Sequence, residues 1–168
     1  KIQAIPHGSY DFLERNTKIS KEPTTFLFFW RIVAYKWLDI LLEAIELINT
    51  SSKIPFTLII AWEGDISLYE EKIKKLSSHI ELHNWYIPDE EVRDFFSRSS
   101  FVVLPYRDAT ASWVIPLAYS FSLPVIATDV GVLSSYVSPG KTWFLVKWED
   151  PVTQKKKIEL LLSDPKLV

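Results

Sequence analysis

The chain has 168 residues, of which 48% are hydrophobic and 14% aromatic, with a formal net charge of −2 and a pI near 6.0. That length suits one domain with a full core. The lack of a basic excess argues against a nucleic-acid partner held by phosphate neutralisation. The absence of cysteine excludes disulfides, thiolate zinc sites and cysteine nucleophiles.

Ile2 to Ile5 reads as a short strand ended by the turn signal Pro6-His7-Gly8. Residues 9–24 are polar, carry Pro23 and read as a linker. Phe26 to Arg31 is then an apolar run of strand length. Leu41, Leu42, Ile45 and Ile48 fall at 3-4 spacing and predict a helix over 38–48. Further strands are predicted at 56–61, 80–83, 101–104, 124–128 and 143–146. Helices are predicted at 67–76, at 89–96 with Asp89 as N-cap, at 112–121 despite Pro116, and at 152–162. Continuous apolar strands alternating with amphipathic helices imply an α/β doubly wound, Rossmann-like parallel sheet of six or seven strands. The lysine run Lys155–Lys157 is expected to open the last helix as a solvated face. No apolar run reaches the ~18 residues needed to cross a bilayer. A start at Lys1, without Met, suits a piece of a longer protein.

Ligands of such sheets bind beyond the carboxyl ends of the strands, so the residues following each strand carry the interest. Arg31 and Lys36 follow the first. Two cations beside free helix N–H groups would clamp a diphosphate, or they are surface cations of an ordinary loop. Glu63, in the Trp62-Glu63-Gly64-Asp65 turn, is placed to meet a ribose or is a solvated turn acid. Thr110 and Ser112 would cap the helix after Leu104, whose N-terminus then receives an anion; capping alone is the alternative. His7, His79 and His83 do not share metal-ligand spacing, so no metal site is expected, and no phosphate loop, G-x-G-x-x-G or G-x-S-x-G occurs.

The stretches FLFFWRIVAYKWLDILLEAI (26–45), LIIAWEGD (58–65), IELHNWYIPDEEV (80–92), FVVLPYRDATASWVIPLAYSFSLPVIATDVG (101–131) and GKTWFLV (140–146) together resemble, in order and spacing, the C-terminal domain of GT-B glycosyltransferases of the retaining family 4. The resemblance covers nearly the whole chain and makes IPHG a hinge. It implies a hinge strand and linker over 1–24, a nucleotide-sugar-binding domain over 25–168, and an acceptor-binding N-terminal domain outside this chain. It further implies that Arg31 and Lys36 hold the donor diphosphate and that the backbone around Tyr86 and Ile87 meets the base. The Thr110–Val114 loop, with Ser112, Trp113 and Val114, would touch sugar and phosphate. His7 would stand at the hinge near the reacting centre. The implied reaction moves a sugar from a nucleoside diphosphate sugar with retention, without cofactor or essential metal, cations and dipoles stabilising the leaving diphosphate. The expected location is cytoplasmic, peripheral to the membrane in the full-length protein.

The sequence also departs from that family. Two glutamates usual eight positions apart are matched by Ala109 and Leu117, with Asp108 one place early as a substitute for the first. Trp30, Trp37, Trp62, Trp113 and Trp143 stand where the pattern has glycine, Trp85 where it has glycine or a base, and Trp148 where it has proline. Ser122 and Val132 also replace glycines, and only four glycines remain, well under the ~7% average. Such rings would fill the donor pocket, or turn outward as an apolar patch for self-association or a protein partner. The alternative to a working donor domain is therefore an inactive or engineered form with a blocked site. A sugar-nucleotide epimerase is a third reading, for which the needed acids and histidines cannot be placed.

Overall fold

The computed structural model describes residues 18–30, 38–137, 143–164 and 167. The expected opening strand, His7, Arg31, Lys36 and Trp37 lie outside them. In chain order the elements are β1 (Thr25–Phe29), α1 (Leu38–Ser51), β2 (Thr57–Ala61), α2 (Glu70–Lys75), β3 (Ile80–His83), α3 (Asp89–Arg98), β4 (Phe101–Leu104), α4 (Val114–Ser120), β5 (Val125–Thr128), α5 (Leu133–Tyr136), β6 (Trp143–Val146) and α6 (Pro151–Ser163).

The six strands form one parallel sheet in the order β3-β2-β1-β4-β5-β6. Strand side chains alternate between faces, yet both faces are apolar, which a sheet covered on both sides requires. Leu27, Phe29, Ile59, Val102 and Leu104 face α3 and α4, meeting Phe95, Phe96, Val114 and Leu117. Phe26, Phe28, Leu58, Ile60 and Val103 face α1 and α6, meeting Leu41, Ile45, Ile158 and Leu161. The doubly wound expectation therefore holds. Among the described residues no helix is long and apolar enough to cross a membrane.

The differences lie at element ends. β1 stops at Phe29, because Trp30 already bends away. α3 begins at Asp89, with extended Pro88 (φ −70°, ψ 158°) in the cap position, so Asp89 contributes charge to the first turn instead of capping it. α4 begins two residues later than expected. Trp113 fills its cap position with helical angles, and neither Thr110 nor Ser112 caps it. Pro116 is tolerated because it lies in the first turn, where the missing N–H has no intrahelical acceptor anyway. α6 is capped by Asp150, whose Oδ1 accepts from the Thr153 N–H at 2.8 Å, and starts at Pro151. Lys155–Lys157 thus sit inside the helix and do not open it. Lys155 pairs with Glu159 at 3.0 Å, and Lys157 lies 4.5 Å above the Phe144 ring. The single turn α5 had no sequence signal.

Candidate functional site

The order of the sheet reverses between β1 and β4. From β1 the chain winds outward through β2 and β3; from β4 it winds the other way through β5 and β6. The connections after β1 and β4 therefore part, and a crevice opens at their carboxyl ends.

That crevice is walled by aromatic rings. Trp30 follows β1, Trp62 follows β2, and Trp113 ends the loop between β4 and α4. The Trp113 ring lies 5.3 Å from Trp30 and 6.0 Å from Trp62. Phe29, the last residue of β1, supports both sides, edge-on to Trp62 at 5.1 Å and to Trp113 at 5.8 Å. Trp30 also lies 6.0 Å from Tyr106, just beyond β4. Each such contact adds about 0.5–1.5 kcal/mol beyond burial. The three indoles are partly buried and pack on the core. Trp62 has φ 138°, in the region that glycine favours and large side chains avoid.

The 105–113 loop is held from below. The Thr128 hydroxyl donates to the Tyr106 carbonyl, tying the ends of β4 and β5. The Ala109 carbonyl accepts from the Val132 N–H at 3.0 Å. Gly131 (φ 53°) passes so close beneath that a Cβ there would lie 2.0 Å from the Ala109 oxygen.

On the β3 side, Asn84 Oδ1 accepts from the Gly64 N–H at 2.9 Å and joins the turns after β2 and β3. Outside the crevice, Arg98 pairs bidentately with Glu81 at 3.0 and 2.8 Å and reaches Glu22 at 3.0 Å; His83 meets Glu81 at 2.6 Å. This cluster ties β3 and α3 to the approach to β1.

Of the expected site residues, Trp113 is brought directly against the ends of β1 and β2. Glu63, Tyr86, Asp108 and Thr110 are exposed. Asp108 Oδ1 accepts from the Ala109 N–H at 2.8 Å. Ile87 and Val114 are core residues, so only their backbone is offered to a ligand. Ser112 is buried, and its hydroxyl has no hydrogen-bond partner among the described residues. Leu117 lies in the core beneath the loop. Trp30 and Trp62 were expected as rings that fill the pocket or turn outward and not as binding residues, and Tyr106 was not among the expected site residues; their positions just beyond strands were the available signal.

An open parallel sheet of this order, with its crevice at the switch point, is the architecture of a nucleotide-binding α/β domain. A sequence model described as "Glycosyl transferases group 1" matches residues 23–164. An uncharacterized glycosyltransferase of Methanocaldococcus jannaschii is 35% identical over 145 residues, covering 84% of this chain and 39% of that protein. The crystal structure of the C-terminal domain of a glycosyl transferase group 1 family protein from Francisella tularensis superposes with a TM-score of 0.78 at 18% identity, covering 96% of this chain and 90% of that one. The HepE protein of Anabaena, solved in complex with UDP, superposes with a TM-score of 0.72 at 17% identity over 84% of this chain and 39% of its own. The chain belongs to the group 1 glycosyl transferases and has the GT-B-type fold of their C-terminal domains. It spans 39% to 43% of the length of three of the curated relatives it matches, and less of others.

Proposed function

We propose that this chain is the donor-binding domain of a retaining, family 4 type glycosyltransferase, and that the crevice between β1 and β4 receives a nucleoside diphosphate sugar. The observation that carries this reading is the switch point itself, with the β1 and β4 connections parting at their carboxyl ends. The UDP held by the Anabaena protein of the same fold supports it. Arg31 and Lys36 follow β1 in sequence and supply the positive charge a diphosphate needs. The exposed turn at Tyr86 and the backbone at Ile87 offer an edge for the base. The exposed Thr110 and Asp108 serve the sugar, and Glu63 the ribose.

In this reading no metal is required. Leaving-group charge is stabilised by Arg31 and Lys36, with His7 at the hinge to a separate acceptor-binding domain. The full-length protein works in the cytoplasm or at its membrane face. Incubation of the full-length protein with labelled UDP-, GDP- and ADP-sugars tests the proposal. Transfer from one of them with retained anomeric configuration, lost in Arg31→Ala and Lys36→Ala, is the expected result. Transfer with inversion, or none from any donor, contradicts it.

Self-association through exposed tryptophans is a weaker second reading. Trp85 and Trp148 are 48% and 49% exposed. They follow β3 and β6, the opposite edges of the sheet, roughly 24 Å apart at ~4.8 Å per strand. They form no common patch.

A further inference from the structure

We propose that the seven residues Trp30, Trp37, Trp62, Trp85, Trp113, Trp143 and Trp148 mark glycine codons: the gene carries UGA at each, and the cell that owns the gene reads UGA as glycine. UGA is a stop in the standard code, tryptophan in some codes and glycine in others. One gene therefore yields a tryptophan-bearing chain in one cell and a glycine-bearing chain in another.

The backbone supplies the first argument. Trp62 stands at φ 138°, with its N–H donating to the His83 carbonyl at 3.0 Å. The sheet thus fixes a conformation that strains a residue with a Cβ and that glycine adopts freely.

Placement is the second. Trp30 and Trp62 each follow the last residue of a strand, Trp85 stands two residues beyond β3, Trp113 precedes α4, Trp148 lies in the turn after β6, and Trp143 is the first residue of β6. Five of these six lie outside the helices and strands, and the sixth, Trp143, opens a strand. Strand-to-loop turns are where glycine is the default, whereas a large indole belongs mainly to cores and interfaces.

Distribution is the third. A decayed or deliberately blocked site would gather its replacements in the crevice, as Trp30, Trp62 and Trp113 do. Trp85 and Trp148 follow the two edge strands of the sheet, so the tryptophans are not confined to the crevice. Composition agrees. The seven tryptophans and four glycines together make eleven of 168 residues, close to the usual glycine share of about 7%.

With glycine at Trp30, Trp62 and Trp113 the crevice loses three rings of roughly 150–250 Å² each, and backbone N–H groups at its rim become reachable. That consequence rests on the donor-site reading above; the codon assignment does not. The test is to read the seven codons and to sequence, by mass spectrometry, peptides of the protein isolated from its own cells. UGA at all seven codons and glycine in the peptides are expected. UGG codons, or tryptophan in the peptides, overturn the proposal whatever the chain binds. In parallel, the variant with Trp30→Gly, Trp62→Gly and Trp113→Gly is titrated with UDP, GDP and ADP beside the parent. Glycine peptides together with at least tenfold tighter binding of one nucleotide uphold both readings. Glycine peptides with no binding by the folded variant uphold the codon assignment and overturn the donor site.

Discussion

Trp30 and Trp113 hold their rings 5.3 Å apart at 42° to one another, one following β1 and the other following β4, the two strands between which the sheet reverses. In the tryptophan-bearing chain this contact spans the switch point, beyond the carboxyl ends of the paired strands β1 and β4. Trp113→Ala removes it together with the contacts to Phe29 and Trp62. Full burial would make that loss about 3–5 kcal/mol. Trp113 is only partly buried, so about 2–3 kcal/mol is expected from urea unfolding.

Among the described residues Trp62, Ser122 and Glu149 have positive φ without being glycine, and the first two offer a stability test. Trp62 (φ 138°) and the exposed Ser122 (φ 56°) both carry a Cβ in unfavourable backbone. Ser122→Gly is expected to stabilise by about 1 kcal/mol. At Trp62 both truncations lose the same ring contacts, so Trp62→Gly should exceed Trp62→Ala in stability by about 1 kcal/mol. Paired denaturation curves measure both differences.

Gly131 shows the converse. A Cβ there would meet the Ala109 carbonyl oxygen at 2.0 Å, a backbone atom that cannot swing aside. Gly131→Ala is expected to cost at least about 2 kcal/mol, from strain at φ 53° and from displacement of the 105–113 loop. Faster amide exchange at Val132, whose N–H is bonded to that same carbonyl, reports the displacement.

Stability at acid pH is expected to depend on Glu81. Burial pushes its carboxyl up, but hydrogen bonds and charge from Arg98 and His83 outweigh this and hold it below the usual glutamate range. A carboxyl depressed on folding stabilises fully above its unfolded value, about 4.3, and the contribution drains as pH falls through the lower folded value. Glu81→Gln should lower stability at pH 7 by about 1–2 kcal/mol and flatten the acid limb of the curve. An unchanged acid limb would show that other carboxylates govern it.

The fold was legible because the physics that makes it is local and repetitive. Runs such as Phe101–Leu104, apolar at every position, require a sheet covered on both faces, and the helices between them carry matching stripes. Element ends were less legible. Ser112 looked like a helix cap, yet its side chain is buried and Trp113 takes the cap position in helical geometry. Asp89 looked like a cap because its acid suits a first turn, which is the place it occupies. The rule for strand ends pointed to the loops beyond β1, β2 and β4, and the tryptophans there were read as filling a pocket or turning outward. Which of the two holds for Trp30, Trp62 and Trp113 was not legible, because their convergence depends on strand order, which no local spacing encodes.

The most direct test of the donor-site claim is calorimetric titration of UDP, GDP and ADP into the chain carrying Trp30→Gly, Trp62→Gly and Trp113→Gly, with cooperative unfolding as the check on its integrity. The account predicts saturable binding of one nucleotide, weakened at least tenfold by Arg31→Ala or Lys36→Ala. A folded variant that binds none of the three would contradict it.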